Sequence, residues 1–144
     1  MEYKTQWTKT EDIKRKWYVV DIKDEILGRV ATQIASLLIG KGKPEIVPNL
    51  DCGDFVIVLN SDEIKLTRGK EKKKIYYHHT SYPGGLKEIR FDQQLKKDST
   101  RIIELAVKNM LPKNKLKDGR MARLFVYKDD KHPHTAQMPT DYKL

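Results

Sequence analysis

The stretch WYVVDIKDEILGRVATQIASLLIG, residues 17–40, decides the fold because its hydrophobic period changes partway along. Residues 17–21 are mostly aromatic or β-branched, which predicts a buried strand. After Ile26 the apolar residues recur at helical spacing. The side chains that share one helical face are Leu27, Val30, Ala31, Ile34, Leu37 and Leu38. Gly40 stands where a left-handed residue commonly ends a helix. The stretch therefore predicts a strand followed by an amphipathic helix.

The rest of the chain continues this alternation. Residues 55–60 are almost continuously apolar, which is typical of a strand covered on both faces. The next predicted elements are short strands at 64–67 and 75–77 joined by a basic turn, a turn at 82–86 and a short helix at 91–97. A second helix, capped by Asp98 and Ser99, is predicted to end at Met110, before Pro112. The last predicted strand is at 124–127. The inward residues of the second helix are expected to be Ile102, Ile103, Ala106, Val107 and Met110. Strands that alternate with helices favour an α/β fold with a largely parallel sheet.

The length of 144 residues fits a single domain over 1–144. Residues 1–15 are polar and mixed in charge, so we expect an N-terminal arm there. Residues 16–128 form the predicted α/β core. Residues 129–144 contain Pro133 and Pro139 and little apolar periodicity, so we expect an irregular C-terminal tail.

The composition is that of a basic globular protein, with 34% charged residues and a formal net charge of +9. This balance predicts attraction to polyanions such as nucleic acid or acidic lipid. The single cysteine, Cys52, excludes an internal disulfide and fits a reducing compartment. No stretch approaches the roughly 20 apolar residues of a membrane span, and the N-terminal residues lack a signal-peptide core. We therefore expect a soluble intracellular protein.

Basic residues concentrate in two segments beside predicted turns, residues 65–74 and 108–123. The first holds Lys65, Arg68, Lys70, Lys72, Lys73 and Lys74. The second holds Lys108, Lys113, Lys115, Lys117, Arg120 and Arg123. Lysine reaches phosphate as a mobile point charge and arginine as a bidentate fork. Either segment alone is also compatible with a solvated surface, but both together with the net charge favour nucleic acid.

Aromatic and histidine side chains follow the first basic segment, in YYHHTSYPGG at residues 76–85. Flat side chains can stack on splayed RNA bases, and paired glycines let a backbone approach closely. Strand alternation places one of Tyr76 and Tyr77 in the core. The histidines do not predict a metal site, because adjacent His78 and His79 point to opposite faces of a strand and no zinc spacing is present.

A nucleotide-dependent enzyme on the same scaffold is the alternative function. Gly28 and Arg29 follow the first strand as in a phosphate-binding turn, but neither G-x-G-x-x-G nor the P-loop pattern occurs. No serine stands in a nucleophile-elbow context. A membrane surface is disfavoured because the first helix carries only Arg29 as a charge and so has no cationic face.

Six segments stand in order along the chain: WYVVD with LGRVAT (17–21 and 27–32), GKGKP (40–44), DCGDFVIV (51–58), HTSYPGGLK (79–87), AVKNMLPKN (106–114) and HPHTAQMP (132–139). In this order and spacing they resemble the bacterial type of the large-subunit ribosomal protein L-thirteen family over nearly the whole chain. Three positions depart from the family pattern. Ser81 and Asn109 stand where glycine is usual, and a glycine-arginine pair is displaced to Gly119 and Arg120.

The resemblance implies a three-layer α/β/α sandwich around a mainly parallel four-stranded sheet. It implies a structural protein and not an enzyme, which binds large-subunit ribosomal RNA, supports early subunit assembly and translation, and contacts neighbouring large-subunit proteins. A ribosomal protein without a transit peptide is expected in the cytoplasm, on the ribosome. We expect no cofactor, metal, membrane or small-molecule substrate. Control of messenger RNA away from the ribosome and an organellar origin stay open as alternatives.

The residues that the basic segments and the resemblance together assign to RNA contact are Lys41, Lys43, Lys70, Lys72, Lys73, Lys74, His79, Tyr82, Lys87, Lys113, Asn114, Lys115, Arg120, His132 and His134. In the second basic segment, Met110 and Leu111 are expected to anchor the loop in the core. Pro112 then turns the chain outward and presents Lys113 and Lys115. Ordering such a loop before binding lowers the entropy lost on contact with RNA.

Overall fold

A parallel sheet organises the computed structural model, which describes residues 7–144. Within these residues the strands and helices are β1 (Trp17–Asp21), α1 (Leu27–Ile39), β2 (Phe55–Leu59), α2 (Lys70–Lys73), β3 (Ile75–His79), β4 (Leu86–Arg90), α3 (Phe91–Lys97), α4 (Thr100–Met110), α5 (Leu116–Met121), β5 (Leu124–Val126) and β6 (Thr140–Asp141). Short 3-10 helices lie at Thr10–Asp12, Ser61–Glu63 and His134–Gln137. None of the helices in this part of the chain is long and apolar enough to span a bilayer.

The main sheet has the strand order β5-β2-β1-β6, and each neighbouring pair is parallel. The register of the central pair runs from Trp17 opposite Phe55 to Asp21 opposite Leu59. The predicted α/β class with a mainly parallel four-stranded sheet is therefore confirmed. Successive parallel strands need a crossover, and α1 supplies it between β1 and β2.

One face of the sheet forms the main core with α1 and α4. The buried side chains of this core include Val20, Val56, Val58 and Leu124 from the strands, Leu27, Val30, Ile34 and Leu38 from α1, and Ile102, Ile103 and Val107 from α4. Their helical and alternating spacings are the ones that the sequence predicted. Each fully buried aliphatic side chain contributes about 1.5–3 kcal/mol relative to exposure.

The opposite face of the sheet carries a smaller, aromatic cluster. Trp17 stacks on Phe55 with ring centroids 4.2 Å apart, and Phe125 lies 5.7 Å from Trp17. The 3-10 helix at His134–Gln137 places the ring of His134 4.6 Å from that of Phe125. Helical segments therefore lie on both sides of the sheet, in agreement with the predicted three-layer α/β/α class.

The predicted irregular tail contains ordered structure, so that prediction was wrong for part of 129–144. The tail forms the 3-10 helix and β6, which pairs with β1. The amide of Tyr142 also donates to the carbonyl oxygen of Val19 at 2.8 Å. A strand of two residues has no apolar period to detect, and it is held by backbone pairing. Of the predicted arm at 1–15, residues 1–6 lie outside the described residues.

The segment between β2 and α3 differs most from the predictions. The strand expected at 64–67 does not form, and only an isolated bridge joins Ile26 to Lys65. The basic turn contains the one-turn helix α2. The strand at 75–77 extends to His79 and pairs antiparallel with β4, a strand that was not predicted. β4 is LKEIR, and its charged residues are exposed, so no buried apolar run marks it. The turn predicted at 82–86 closes this hairpin, with the Gly85 amide bonded to the Tyr82 carbonyl at 2.9 Å.

Helix α4 begins and ends as predicted, but two details of its ends were wrong. Ser99 makes no side-chain cap; its hydroxyl instead pairs with that of Ser61 at 2.7 Å in the buried interior. Met110 is 42% exposed, so the buried anchor before Pro112 is Leu111 alone. Helix α5 was not predicted, because Gly119 lies inside it and glycine disfavours helix.

Candidate nucleic-acid interface

The parallel topology brings three lysine-bearing segments to one edge of the sheet. The amino ends of parallel strands meet at the same edge. Here residues 14–16 precede β1, residues 40–54 precede β2, and residues 111–123, which include α5, precede β5. Gly40 ends α1 with a φ of 84°, and a Cβ there would lie 2.8 Å from the Cys52 carbonyl oxygen. Glycine thus lets the second loop fold tightly against itself. We call this region the amino edge.

A buried ionic network lies beneath these loops. The guanidinium of Arg123 binds both carboxylate oxygens of Asp51, one of them at 2.7 Å, and also donates to the carbonyl oxygens of Leu38 and Asp54, each at 3.3 Å. Arg120 Nε lies 3.4 Å from the same carboxylate. Burial of Asp51 raises its pKa, but the hydrogen bonds and charges of Arg123 and Arg120 outweigh burial and hold the pKa below its ordinary value.

Arg120 and Lys43 are both paired with carboxylates of the protein. Arg120 is only 3% exposed and its charge is directed at Asp51, so the structure does not present this predicted RNA contact at the surface. Lys43 Nζ donates to Asp54 Oδ1 at 2.6 Å and to the carbonyl oxygens of Lys14 and Cys52 at 2.8 and 3.0 Å. An ammonium has three donors, and all three are used. Lys43 therefore ties the first two loops together.

Five other lysines of the amino edge, unlike Lys43, are not paired with a carboxylate in the described part of the chain. Their ammonium groups have no carboxylate within 4.0 Å among residues 7–144, and all five are exposed: Lys14, Lys16, Lys41, Lys113 and Lys115. We call them the amino-edge basic surface. Asn114, exposed between two of them, offers an amide beside the charges. Lys14 and Lys16 were not predicted from the sequence. The run Lys-Arg-Lys at 14–16 directly before the first strand was the pattern that indicated them.

The first basic segment lies at the other end of the sheet. It follows the carboxyl end of β2 in the chain. At that end the Ser61 hydroxyl contacts the hydroxyl of Ser99, just before α4 begins. Lys70, Lys72 and Lys73 are exposed on α2. Lys74 instead lies over the ring of Tyr76, 5.2 Å from its centroid, and burial followed by the charge of Lys70 lowers its pKa.

The hairpin of β3 and β4 presents exposed aromatic and basic side chains. Tyr76 is half-buried against the core and Tyr77 is 62% exposed, which confirms that one of the pair turns inward. Tyr82 stands at the hairpin tip and is 76% exposed. His79 is exposed, and its Nδ1 accepts a hydrogen bond from the Ser81 amide at 3.0 Å, while Lys87 is exposed on β4. The hairpin lies beside α3 and the first turn of α4, which begins next to the carboxyl end of β2, so it is separate from the amino edge.

The two C-terminal histidines pack against the sheet. His134 is half-buried, its Nε2 lies 2.8 Å from the hydroxyl of Tyr127, and its ring contacts Phe125. The RNA contact predicted for His134 stays a prediction, and in the folded chain its Nε2 is already paired with Tyr127. His132 Nδ1 accepts from the His134 amide at 3.2 Å and fixes the same turn. Among the described residues no group of three or more His, Cys, Asp or Glu is placed to hold a metal ion.

The sequence matches one family model and many known proteins. The model "Ribosomal protein L13" matches residues 15–133. A protein of Azotobacter vinelandii named large ribosomal subunit protein uL13 is 49% identical over 141 residues, which cover 98% of this chain and 99% of that protein. Proteins of the same name are 50% identical in Chloroflexus aggregans over 96% of this chain and 97% of that protein, and 48% identical in Pseudomonas putida over 98% and 99%.

Proposed function

Because this chain belongs to the ribosomal protein L13 family, we propose that it is a structural protein of the large ribosomal subunit that binds large-subunit ribosomal RNA. We further propose that it supports early assembly of the subunit, and that neighbouring large-subunit proteins are its other partners. The family consists of structural ribosomal proteins and not of enzymes. The RNA contacts are the part of the proposal that the geometry of the chain supports.

The proposal is supported by the amino-edge basic surface, in which lysines from three separate segments of the chain lie together. Its lysines come from three loops far apart in sequence, and the carboxylates beneath them, Asp51 and Asp54, are already paired with Arg123 and Lys43. These two carboxylates therefore do not neutralise the five lysines. Such a surface binds phosphates with release of counterions, which makes binding strong and dependent on salt.

The loops that present these lysines are fixed from below. Lys43 joins the loop at 40–54 to the chain before β1, and Arg123 joins the same loop to α1 and α5 through Leu38 and Gly119. A surface that is ordered before binding loses less conformational entropy when it meets RNA. This rigidity favours a folded RNA of defined shape over an unstructured polyanion.

Helix α2 and the hairpin that follows it supply a second contact at the other end of the sheet, near the carboxyl ends of the strands. Lys70, Lys72 and Lys73 on α2 offer phosphate ligands, and the ring of Tyr82 at the tip offers a stacking surface for an unpaired base. Lys87 and His79 on the two strands extend the same polar surface. Two contacts at opposite edges suit a protein that joins separate parts of a large RNA.

The double variant Lys113→Ala/Lys115→Ala is expected to bind large-subunit ribosomal RNA more weakly than the wild type. The slope of log affinity against log salt is expected to fall by about 2, since each lysine that contacts a phosphate contributes about 1. Filter binding across a salt series measures both quantities. Urea unfolding is expected to match the wild type, because both side chains are exposed.

The matched control is Lys128→Ala/Lys131→Ala, which removes the same charge from exposed lysines beyond the carboxyl end of β5. Its salt slope is expected to stay within about 0.5 of the wild type, because these lysines contact no phosphate in the proposed complex. Equal slopes for the two double variants would show that only net charge matters. That result would contradict the amino edge as the RNA surface.

A further inference from the structure

A groove of about 700 Å³ opens at the amino edge beside the loop that ends α1. The side chains that give it its chemistry are Lys14, Lys16, Lys41, Tyr18, Tyr142 and Leu37. This volume lies within the roughly 300–1,000 Å³ of ligand pockets in proteins. The groove thus combines an apolar and aromatic interior with a cationic rim. Lys41 belongs both to this rim and to the amino-edge basic surface.

Two tyrosines form a corner inside the groove. Tyr18 on β1 and Tyr142 after β6 have ring centroids 5.8 Å apart, and their planes meet at 74°. A flat group can therefore lie against one ring while the other covers its edge. Neither hydroxyl has a hydrogen-bond partner among residues 7–144, so both are available to the edge of a bound base. Tyr142 reaches this position because β6 pairs with β1.

The rim of the groove suits a phosphate. Asp54 also lines the groove, but its carboxylate is paired with Lys43, so it does not repel an anion. Gly42 lies in the wall and has no Cβ to obstruct a ligand, and its amide has no acceptor in the described part of the chain. Lys14, Lys16 and Lys41 are exposed beside it. Glu45 is the one unpaired acid among the lining residues that the structure describes, against three unpaired lysines.

From this geometry we infer that the groove holds a single unpaired nucleotide of the bound RNA, with its base in the corner of Tyr18 and Tyr142 and its phosphate at Lys14, Lys16, Lys41 and the Gly42 amide. The inference rests on the proposed function, since it names the form of RNA that this part of the surface takes. A base inside an A-form duplex is stacked and paired and cannot enter a groove. An unstacked base in a loop or bulge can stack on an aromatic ring.

The variant Tyr142→Leu in the full-length chain tests the inference, because leucine keeps apolar bulk but removes the ring. Its affinity for large-subunit ribosomal RNA is expected to fall roughly 5- to 100-fold, the range of one base–aromatic stack. The salt slope is expected to be unchanged, because no cation is lost. Tyr142→Phe, which keeps the ring, is expected to bind within about threefold of the wild type.

Two readouts do not depend on the folding of a variant. In the wild-type complex, chemical probing of the RNA is expected to show one unpaired nucleotide that becomes protected. RNA that carries 4-thiouridine is expected to photo-crosslink to a peptide containing Tyr18, Gly42 or Tyr142. Selective wild-type binding without such a crosslink, and with Tyr142→Leu binding within twofold, would overturn the inference and leave the proposed function intact. Binding by the wild type that unrelated RNA competes away equally would overturn both.

Discussion

Replacement of Gly53 by alanine is expected to destabilise the protein by about 3 kcal/mol or more, at the upper end of the range for overpacking. A Cβ at this position would collide with the carbonyl oxygen of Leu38 and lie 2.5 Å from its carbonyl carbon. The obstacle is backbone at the end of α1, which cannot turn aside as a side chain can. A change of this size is a large part of the roughly 5–15 kcal/mol that stabilises an ordinary domain.

The matched control for Gly53→Ala is Gly28→Ala. Gly28 lies in the first turn of α1, and a Cβ there would meet no atom within 4 Å. Alanine favours helix over glycine by roughly 0.5–1 kcal/mol, so this variant is expected to be as stable as the wild type or more stable. Urea unfolding of the two variants measures the difference. If Gly53→Ala unfolded at the same urea concentration as Gly28→Ala, the close approach of the loop to α1 would be refuted.

The variant Asp51→Ala is expected to lose about 3 kcal/mol of stability. It would leave the charges of Arg120 and Arg123 buried without a partner, a change that typically costs about 3–5 kcal/mol. The lower end applies because the Asp51 side chain is still 16% exposed, against 4% and 7% for the two arginines. Asp118→Ala is the control, since Asp118 is exposed on α5 and has no ion pair in the described residues. Its stability is expected to stay within about 0.5 kcal/mol of the wild type.

RNA binding by Asp51→Ala distinguishes two causes of binding at the amino edge, the net positive charge and the positioning of the loops by the buried network. Removal of an acid raises the net positive charge, so charge alone would strengthen binding. If Asp51 holds the loops that present Lys41 and Lys113, its loss is expected to weaken binding at temperatures where the variant is still folded. Tighter binding by Asp51→Ala than by Asp118→Ala would show that the buried network does not position the surface.

The same carboxylate predicts a dependence of stability on pH. The pKa of Asp51 in the folded protein lies below its ordinary value of 3.8, because Arg123 and Arg120 stabilise the ionised form more than burial opposes it. Its contribution to stability is therefore fully present above the unfolded pKa and is lost as the pH falls through the folded pKa. Urea midpoints measured from pH 6 downward are expected to converge for wild type and Asp51→Ala in acid. Parallel curves would contradict this assignment.

The elements that the sequence predicted are those with a clear period and a buried face. β1, α1, β2 and α4 are of this kind, and their apolar residues lie in the main core. β6 was missed because two exposed residues held by backbone pairing leave no pattern in the side chains. α5 was missed because its glycine argues against helix, whereas packing and the buried arginines hold it in place.

The sequence predicted clusters of lysine and arginine beside turns, but it did not show which of these side chains are exposed. The lysines Lys41, Lys113 and Lys115 are exposed as expected, whereas Lys43 and Arg120 are bound to acids inside the protein. The partner of Arg120 is 69 positions away in the chain, so no local pattern shows that its charge is already satisfied. Charge in a sequence indicates where cations are numerous, and only the fold shows which of them have partners.

A defined RNA surface at the amino edge is tested by the affinity of the purified wild-type chain for large-subunit ribosomal RNA across a salt series, with an unrelated structured RNA as competitor. We expect that the unrelated RNA competes poorly and that the salt slope corresponds to several phosphate contacts, of which about 2 are lost in Lys113→Ala/Lys115→Ala. Equal competition by the unrelated RNA, with a slope that the double variant does not change, would contradict a defined RNA surface at the amino edge.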